Sequence, residues 1–298
     1  MKLKVLTYNV DCLPEIIDLK DLPWILKPIV WIYKLIKKTT LIRINDNEIS
    51  SNKLNKIKDY FINSGANIIG IQEDFNYHKE IYPKDYYKDS DHEGKIEISN
   101  LKWFPFPRFK ANGLNLFTSL DILHVYEEFN KWNESNGYIS HANDLLVTKG
   151  FKYFHIFYKE VYLDIYIVHM DADFYHPENC PDVSKDSEAR ESQFKQLVDD
   201  IKEKHSRNPI IIMGDTNCYN KYKWDVNNIE LNLKHAIKDC TELEFNEAIP
   251  NNYSDCDRIF YINNLYCRKK LELEDCYFDL ETRLSDHYPL IATFNIIG

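Results

Sequence analysis

Short apolar runs that end abruptly in polar residues are the feature that most restricts how this chain can fold. In PIIIMGDTN (209–217), four apolar residues precede Gly214, and Asp215 and Asn217 follow two residues apart. The run predicts a buried strand. Such a strand has no structural need for two polar side chains, one carboxylate and one amide, where it ends. Four further motifs follow the pattern: LTYNV with Asn9, IQEDF with Glu73, VHMDAD with His169 and Asp171, and LSDHYP with Asp286 and His287. Because sites in open α/β sheets gather at strand ends, we expect these side chains to meet in one pocket.

The remaining pattern predicts a layered α/β protein. Periodic apolar residues predict helices over 52–63 and 187–205. Strands are predicted over 2–8, 65–73, 143–150, 153–158, 161–170, 209–214, 257–262 and 288–296. Helices alternate with strands in places, and other neighbouring strands should be antiparallel, so more than one sheet is expected. The chain contains no convincing linker, and we expect residues 1–298 to form a single domain.

Charge and cysteine content favour a cytoplasmic protein that does not bind nucleic acid over a long footprint. The net charge is -10 and no basic block is present, although a metal ion can supply local positive charge. The seven cysteines include no C-x-x-C pair, which predicts reduced thiols rather than a disulfide framework or a zinc site. The N-terminus has no apolar core followed by a cleavage site, so no signal peptide is expected.

One segment is unusually apolar. Residues 22–38, LPWILKPIVWIYKLIKK, are too short and too interrupted by Lys27 and Pro28 to span a bilayer. The segment is either a helix docked on the body, which we favour, or an interfacial element with aromatic rings at headgroup depth. The second alternative predicts contact with a membrane surface.

Each polar motif, taken alone, has an ordinary structural explanation. The explanations are a turn for Asn9, a surface charge for Glu73, structural hydrogen bonds for His169, an Asx turn for Asp215 and Asn217, and a strand cap for Asp286 and His287. All five explanations would have to hold at once. The combination is therefore much more specific than any member.

The motifs TYN, QE, GDTN and SDHYP, in that order, resemble the endonuclease/exonuclease/phosphatase superfamily of metal-dependent phosphohydrolases. The superfamily includes DNase I-like nucleases, inositol polyphosphate 5-phosphatases and neutral sphingomyelinases. The resemblance runs from residue 3 to about residue 295, and NGLNLFTS (112–119) is similar to the family's strand after the metal-binding Glu. QEDFNYH, DLLVTKGF, VHMDAD and DRIFYI are most similar to a branch related to sphingomyelinases or to phospholipases C acting on inositol phosphosphingolipids.

The resemblance implies an α/β fold, a four-layer sandwich of two mixed β-sheets flanked by helices, with an amphipathic insertion at about 13–50. It also implies a metal site. Glu73 would be the principal Mg²⁺ ligand, because a hard cation prefers carboxylate oxygen, and Asn9 would be a second ligand or a support. Mn²⁺ or another divalent cation is the alternative.

The remaining residues would carry the chemistry that the resemblance implies. His287 would be the general base that takes a proton from the attacking water, with Asp286 or another carboxylate orienting the imidazole. Asp215 and Asn217 would hold the nucleophile and contact the phosphate or its metal. His169 would donate to a non-bridging phosphate oxygen.

Two positions depart from the family pattern. Met170 follows His169 where a small polar residue is frequent, and Arg258 follows Asp257 where a hydrophobic or aromatic residue is common. Arg258 could bind an anionic substrate or pair with a surface carboxylate, and both alternatives remain open.

The leading hypothesis is a monomeric Mg²⁺-dependent phosphodiesterase acting on a phospholipid-like or small phosphodiester. The first alternative is a metal-dependent endonuclease or exonuclease, although nucleic acid is the less favoured partner. The second is a binding module without catalysis. The presence of Glu73, Asp215, Asn217 and His287 argues against that module, because a dead scaffold has no chemical reason to keep them all.

Overall fold

The computed structural model describes residues 1–12, 51–74, 79–83, 87–88, 96–101, 104–109, 112–120, 124–133, 148–158, 160–172, 185–204 and 207–298. The predicted insertion at about 13–50, with its apolar segment 22–38, lies outside the described residues, as does Cys180. Every cysteine within the described residues is a free thiol, as expected for reduced side chains.

Strands dominate the described residues. In chain order they are β1 (Lys2–Cys12), β2 (Ile68–Asp74), β3 (Tyr87–Lys88), β4 (Ile96–Leu101), β5 (Phe104–Phe109), β6 (Asn115–Thr118), β7 (His124–Lys131), β8 (Gly150–Tyr158), β9 (Val161–His169), β10 (Ile210–Asp215), β11 (Leu243–Glu247), β12 (Asp257–Asn264), β13 (Lys270–Phe278) and β14 (Leu290–Ile297). The α-helices are α1 (Ser51–Asn63), α2 (Lys185–Lys204), α3 (Lys223–Asn227) and α4 (Ala236–Lys238), with a 3-10 turn at Lys79–Ile81 and a π-helical stretch at Asn228–His235.

Two six-stranded sheets contain all the strands except β4 and β5, which pair only with each other. The first sheet has the order β13-β14-β1-β2-β6-β3, and the second has the order β11-β12-β10-β9-β8-β7. At the centre of each sheet lies one parallel pair, β1 with β2 and β9 with β10, while the flanking pairs are antiparallel. Both sheets are therefore mixed, as predicted.

The two sheets pack face to face through one apolar core. Val5 and Ile68 of the first sheet lie in the same buried cluster as Ile167 and Met213 of the second. A Cβ atom on Gly70 would lie 2.9 Å from the Met213 Cε, so the glycine allows the central strands to approach closely.

Helices cover the outer faces of the sheets. Leu54, Ile57 and Phe61 of α1 are buried against the outside of β1 and β2, whereas the neighbouring apolar residue Ile62 is 49% exposed. In α2, the buried side chains Phe194, Leu197, Val198 and Ile201 pack on the second sheet, at the helical spacing predicted. The result is a helix–sheet–sheet–helix sandwich. No helix among the described residues is both long and apolar enough to cross a bilayer.

Candidate active site

Strand register brings the polar motifs to one edge of the sandwich. Asp215, the last residue of β10, lies opposite His169 of β9 on one side and Asp257 of β12 on the other. In the first sheet, Asn9 of β1 lies opposite Gln72, one residue before Glu73. The ends of the central strands thus deliver the polar side chains to one cleft.

Asn9 joins the two sheets at this cleft. Its Nδ2 donates to Glu73 Oε1 at 3.0 Å and to Asp215 Oδ2 at 3.1 Å, while its Oδ1 accepts from the Asp11 backbone amide at 3.1 Å. With the amide in this orientation, Asn9 supports both carboxylates and directs no oxygen toward a shared cation. This geometry favours the support role over the ligand role for Asn9.

His169 lies beside the same two carboxylates. Its Nε2 is 3.5 Å from Glu73 Oε1 and 3.8 Å from Asp215 Oδ2, and its side chain is buried. The indole Nε1 of buried Trp132 donates to the His169 carbonyl at 2.8 Å and fixes the end of β9. The imidazole is therefore placed where it can contact a group bound beside Glu73 and Asp215.

His287 is held by Asp257, not by its sequence neighbour Asp286. The His287 Nδ1 is 2.7 Å from Asp257 Oδ2, and Asp257 is buried. The Asp286 side chain is 71% exposed, lies 3.9 Å from Nε2, and accepts from Ser285 Oγ. The prediction that Asp286 orients the ring is therefore wrong, because a carboxylate on the protein surface cannot fix the ring as a buried one does. The sequence left open that another carboxylate orients the ring, and that carboxylate is Asp257.

The pair also determines the charge of the ring. Burial lowers the pKa of His287, but the charge and hydrogen bond of Asp257 outweigh burial and raise that pKa well above its ordinary value. With Nδ1 occupied, Nε2 faces the cleft at 3.8 Å from Asp215 Oδ2.

Replacing Asp257 by asparagine is expected to lower the His287 pKa strongly, whereas Asp286→Asn should change it little. The raised pKa means that the charged pair contributes stability below the ordinary histidine pKa, and that this stability is lost as pH rises through the folded-state value. NMR titration of the His287 ring in the metal-free protein measures both variants. Equal shifts in the two variants would contradict the assignment of Asp257.

Asn217 connects the ends of β9 and β10. Its backbone amide donates to Asp215 Oδ1 at 2.8 Å, as in the predicted Asx turn, and its side-chain Nδ2 donates to the Met170 carbonyl at 2.9 Å. Met170 itself is buried under α2, which explains why an apolar residue follows His169. Lys149, which no sequence motif predicts, is buried and donates to the same Met170 carbonyl at 3.1 Å.

Arg258 lies on the opposite face of β12 from Asp257. Its guanidinium donates to Glu247 Oε1 at 2.7 Å, to the Cys218 carbonyl at 3.0 Å and to Asn220 Oδ1 at 2.6 Å. Of the two roles left open for Arg258, pairing with a carboxylate is the one observed. Its predicted role in substrate binding is not supported, because successive strand residues point to opposite faces.

The carboxylates of the cleft have perturbed acidity. Burial raises the pKa of Glu73 to about 7, although Lys149, Asn9 and His287 favour the ionised form. Burial also opposes ionisation of Asp215, but the positive charges of His287, His169 and Lys149 outweigh it and lower its pKa to about 2. Glu73 and Asp215 thus lie side by side with too little positive charge nearby to ionise both fully at neutral pH. A divalent cation would supply that charge.

The donor set fits such a cation. Glu73 and Asp215 each offer a carboxylate oxygen beside His169, and the possible ligand atoms of the three side chains lie within 4.8 Å of one another. Carboxylate oxygens are the ligands that Mg²⁺ prefers.

Backbone strain is concentrated around this cleft. Asp11, Glu73 and Asn217 have φ values of 46°, 64° and 50°, in the left-handed region that non-glycine residues rarely adopt. Gly214 has a φ of 144°, and a Cβ there would lie 2.1 Å from the Val168 carbonyl oxygen. Such conformations persist where surrounding contacts impose them, and they cluster at functional sites.

Comparison with known proteins shows similarity of structure but not of sequence. No family model matches the chain, and no curated protein sequence matches it. Sphingomyelinase C from Streptomyces griseocarneus aligns with a TM-score of 0.59 at 15% identity, covering 99% of this chain and 100% of that one. A beta toxin mutant from Staphylococcus aureus with bound magnesium ions aligns at 0.59 and 15%, covering 98% and 99%. D. rerio TDP2 complexed with a single-strand DNA product aligns at 0.56 and 13%, covering 99% of both chains. These similarities confirm the predicted fold.

Proposed function

We propose that this chain, which has the DNase I-like fold of the endonuclease/exonuclease/phosphatase superfamily, is a metal-dependent phosphoester hydrolase. The observation that carries the proposal is the convergence of the Glu73 and Asp215 carboxylates, two imidazoles and two amides at one edge of both sheets, where Asp257 holds one of the imidazoles. The structural explanations available for each motif separately do not account for their meeting in one cleft.

Glu73 and Asp215 are the residues that we propose to hold the cation, with Asn9 fixing both carboxylates. Mg²⁺ is the preferred ion because the carboxylates are hard ligands, and Mn²⁺ is the alternative. When bound, such an ion polarises a phosphoryl oxygen and stabilises the leaving oxygen.

His287 is proposed as the general base. Asp257 holds Nδ1, so Nε2 is the nitrogen available to accept a proton from water. The imidazole must be neutral to do so, and its raised pKa opposes this in the metal-free protein. The pKa is expected to fall when the site is loaded, because a cation near Glu73 repels the positive charge of the ring.

His169 and Asn217 are proposed to position the phosphate. The His169 Nε2 lies close enough to both carboxylates that an ester bound beside them would come within its reach. An N–H donated to a non-bridging oxygen stabilises the charge that builds up as phosphorus is attacked. Asn217 keeps Asp215 in place through its backbone amide.

Within this class we propose a phosphodiesterase acting on a phospholipid-like or small phosphodiester substrate. The net charge of -10 opposes long contacts with a nucleic-acid backbone. Sphingomyelinase C is among the proteins of similar fold. The alternative is a nuclease, which the similarity to a protein crystallised with a single-strand DNA product supports.

A substrate panel distinguishes the two. Sphingomyelin, glycerophospholipids, inositol phosphates, plasmid DNA and bis-p-nitrophenyl phosphate would each be incubated with Mg²⁺ and with EDTA. We expect hydrolysis of a lipid or small diester that EDTA abolishes and added Mg²⁺ restores. Hydrolysis of DNA alone, falling steeply as salt rises, would replace the phosphodiesterase proposal by the nuclease, and no hydrolysis of any substrate would refute both.

A further inference from the structure

A thiol lies beside the proposed base. Asp215, Cys256 and His287 direct a carboxylate oxygen, a sulfur and a ring nitrogen toward one another, with all three ligand atoms within 4.8 Å. Cys256 is buried, and its thiol interacts with the side chains of His287 and Tyr219. We propose that these three side chains form a Zn²⁺ site, separate in its chemistry from the Glu73 site, and that Zn²⁺ bound there inhibits the enzyme. The inhibition rests on the proposed function, whereas the binding does not.

The donor set is suited to zinc. One thiolate, one imidazole and one carboxylate, with the fourth position open to water, is a coordination that Zn²⁺ adopts in proteins. From typical bond lengths, tetrahedral Zn²⁺ needs its donor atoms about 3.3–3.8 Å apart, so shifts of about 1 Å in the side chains close the site. The distance from His287 Nε2 to Asp215 Oδ2 is already 3.8 Å.

The surroundings hold two of the donors in place. Asp257 holds His287 Nδ1, and histidines that bind metal usually donate the N–H of their other ring nitrogen to a carboxylate in this way. Asp215 receives hydrogen bonds from Asn217 on Oδ1 and from Asn9 on Oδ2. The site is therefore built from residues whose positions other contacts determine.

The thiol gives this site a preference different from that of the Glu73 site. Sulfur is a soft donor that selects Zn²⁺ over Mg²⁺, whereas the Glu73, His169 and Asp215 group contains only oxygen and nitrogen donors. Binding forms a Zn–S bond and a Zn–N bond, and it breaks the S–H bond of Cys256 and the N–H bond at His287 Nε2. The two protons pass to solvent without any change of oxidation state.

Occupation of this site removes two groups that hydrolysis requires. The His287 nitrogen that accepts the proton would be bound to zinc, and Asp215 would be shared between the two sites. Micromolar Zn²⁺ is therefore expected to inhibit the Mg²⁺-loaded enzyme, and excess Mg²⁺ should relieve this inhibition only in part, because it does not compete for the thiolate.

Spectroscopy with Co²⁺ in place of Zn²⁺ tests the binding directly. Wild-type protein should show thiolate-to-cobalt charge-transfer absorption that added Zn²⁺ abolishes. The variants Cys256→Ser and Cys256→Ala should lack this absorption and bind Zn²⁺ at least about 100-fold more weakly in competition with a chromophoric chelator, since loss even of an outer partner costs 10- to 100-fold. Cys276→Ser, at a similarly buried cysteine of β13, is the matched control and should behave as wild type. Circular dichroism verifies the fold of each variant.

The outcomes separate the two proposals. Charge transfer that persists without Cys256, or unchanged Zn²⁺ affinity in both of its variants, overturns the zinc site. If wild type hydrolyses no phosphoester but shows charge transfer that depends on Cys256, the proposed function fails and the zinc site stands. If hydrolysis is observed, Cys256→Ser should resist Zn²⁺ at concentrations that inhibit wild type, and equal inhibition of both would overturn the inhibitory role.

Discussion

Replacing His287 by alanine is expected to lower kcat by about 100- to 10,000-fold, the range that general acid–base groups contribute. The expectation follows from the geometry of the ring, since Asp257 fixes Nδ1 and Nε2 alone faces the cleft. KM should change little, because the lost interaction acts on the attacking water rather than on the bound ester. Initial rates on the best substrate of the panel, with Mg²⁺ saturating, measure the effect.

A histidine that is not part of the proposed site provides the control for this variant. His235 is exposed at the end of the π-helical stretch and is not one of the proposed site residues, so His235→Ala should retain full activity. Full activity of a folded His287→Ala protein would show that another group accepts the proton, and the assignment of the base would be wrong.

Glu73→Gln is expected to reduce Mg²⁺ affinity by at least about 100-fold, since removing even the partner of a metal ligand costs 10- to 100-fold. The variant keeps the size and the hydrogen-bonding oxygen of the side chain but loses the negative charge that the cation needs. Isothermal titration calorimetry measures the affinity, and hydrolysis at fixed Mg²⁺ should fall in parallel. Glu80→Gln, at an exposed residue of the 3-10 turn, should bind Mg²⁺ as wild type does.

The pKa of Glu73 makes this binding depend on pH. Its carboxyl has a pKa of about 7, so Mg²⁺ must displace a proton below that pH, and affinity should rise as pH increases through about 7 and then level off. In the metal-free protein, the contribution of Glu73 to folding stability changes in the opposite direction and falls as pH rises. The contribution of Glu73 is present below its unfolded pKa of 4.5 and is lost as pH rises through about 7, because burying the charged form is unfavourable. Affinity that is independent of pH in wild type, or pH-dependent to the same degree in Glu73→Gln, would contradict this account.

The strands and the cleft could be predicted because their signals are local. An apolar run ending in a polar residue marks both a strand and its exit, and β10 with Asp215 and β9 with His169 appear where those runs predict them. The strands β3, β4, β5, β7, β11 and β13 were not predicted. KLELEDCYF alternates imperfectly, and its many charges resemble a loop more than an edge strand.

The partner of His287 could not be found from neighbouring residues. Asp257 and His287 are 30 positions apart, and they meet only because the start of β12 and the chain entering β14 reach the same edge. Asp286 is adjacent in sequence, but residues 284–287 form a bend in which its side chain is 71% exposed. The alternation of side chains along a strand, applied to DRIFYI, would have placed Arg258 on the opposite face of the sheet from Asp257. Lys149 gave no signal in the sequence, because its position depends on a tertiary contact with the Met170 carbonyl.

The central claim is that one cation and one phosphate share the cleft between Glu73 and His287. A crystal soaked in Mn²⁺ and phosphate, with anomalous differences recorded for manganese, tests it most directly. We predict a manganese peak in contact with the Glu73 carboxylate and a phosphate within hydrogen-bonding distance of His169 or Asn217. A manganese peak elsewhere on the molecule, with Glu73 bound to no ion, would contradict it.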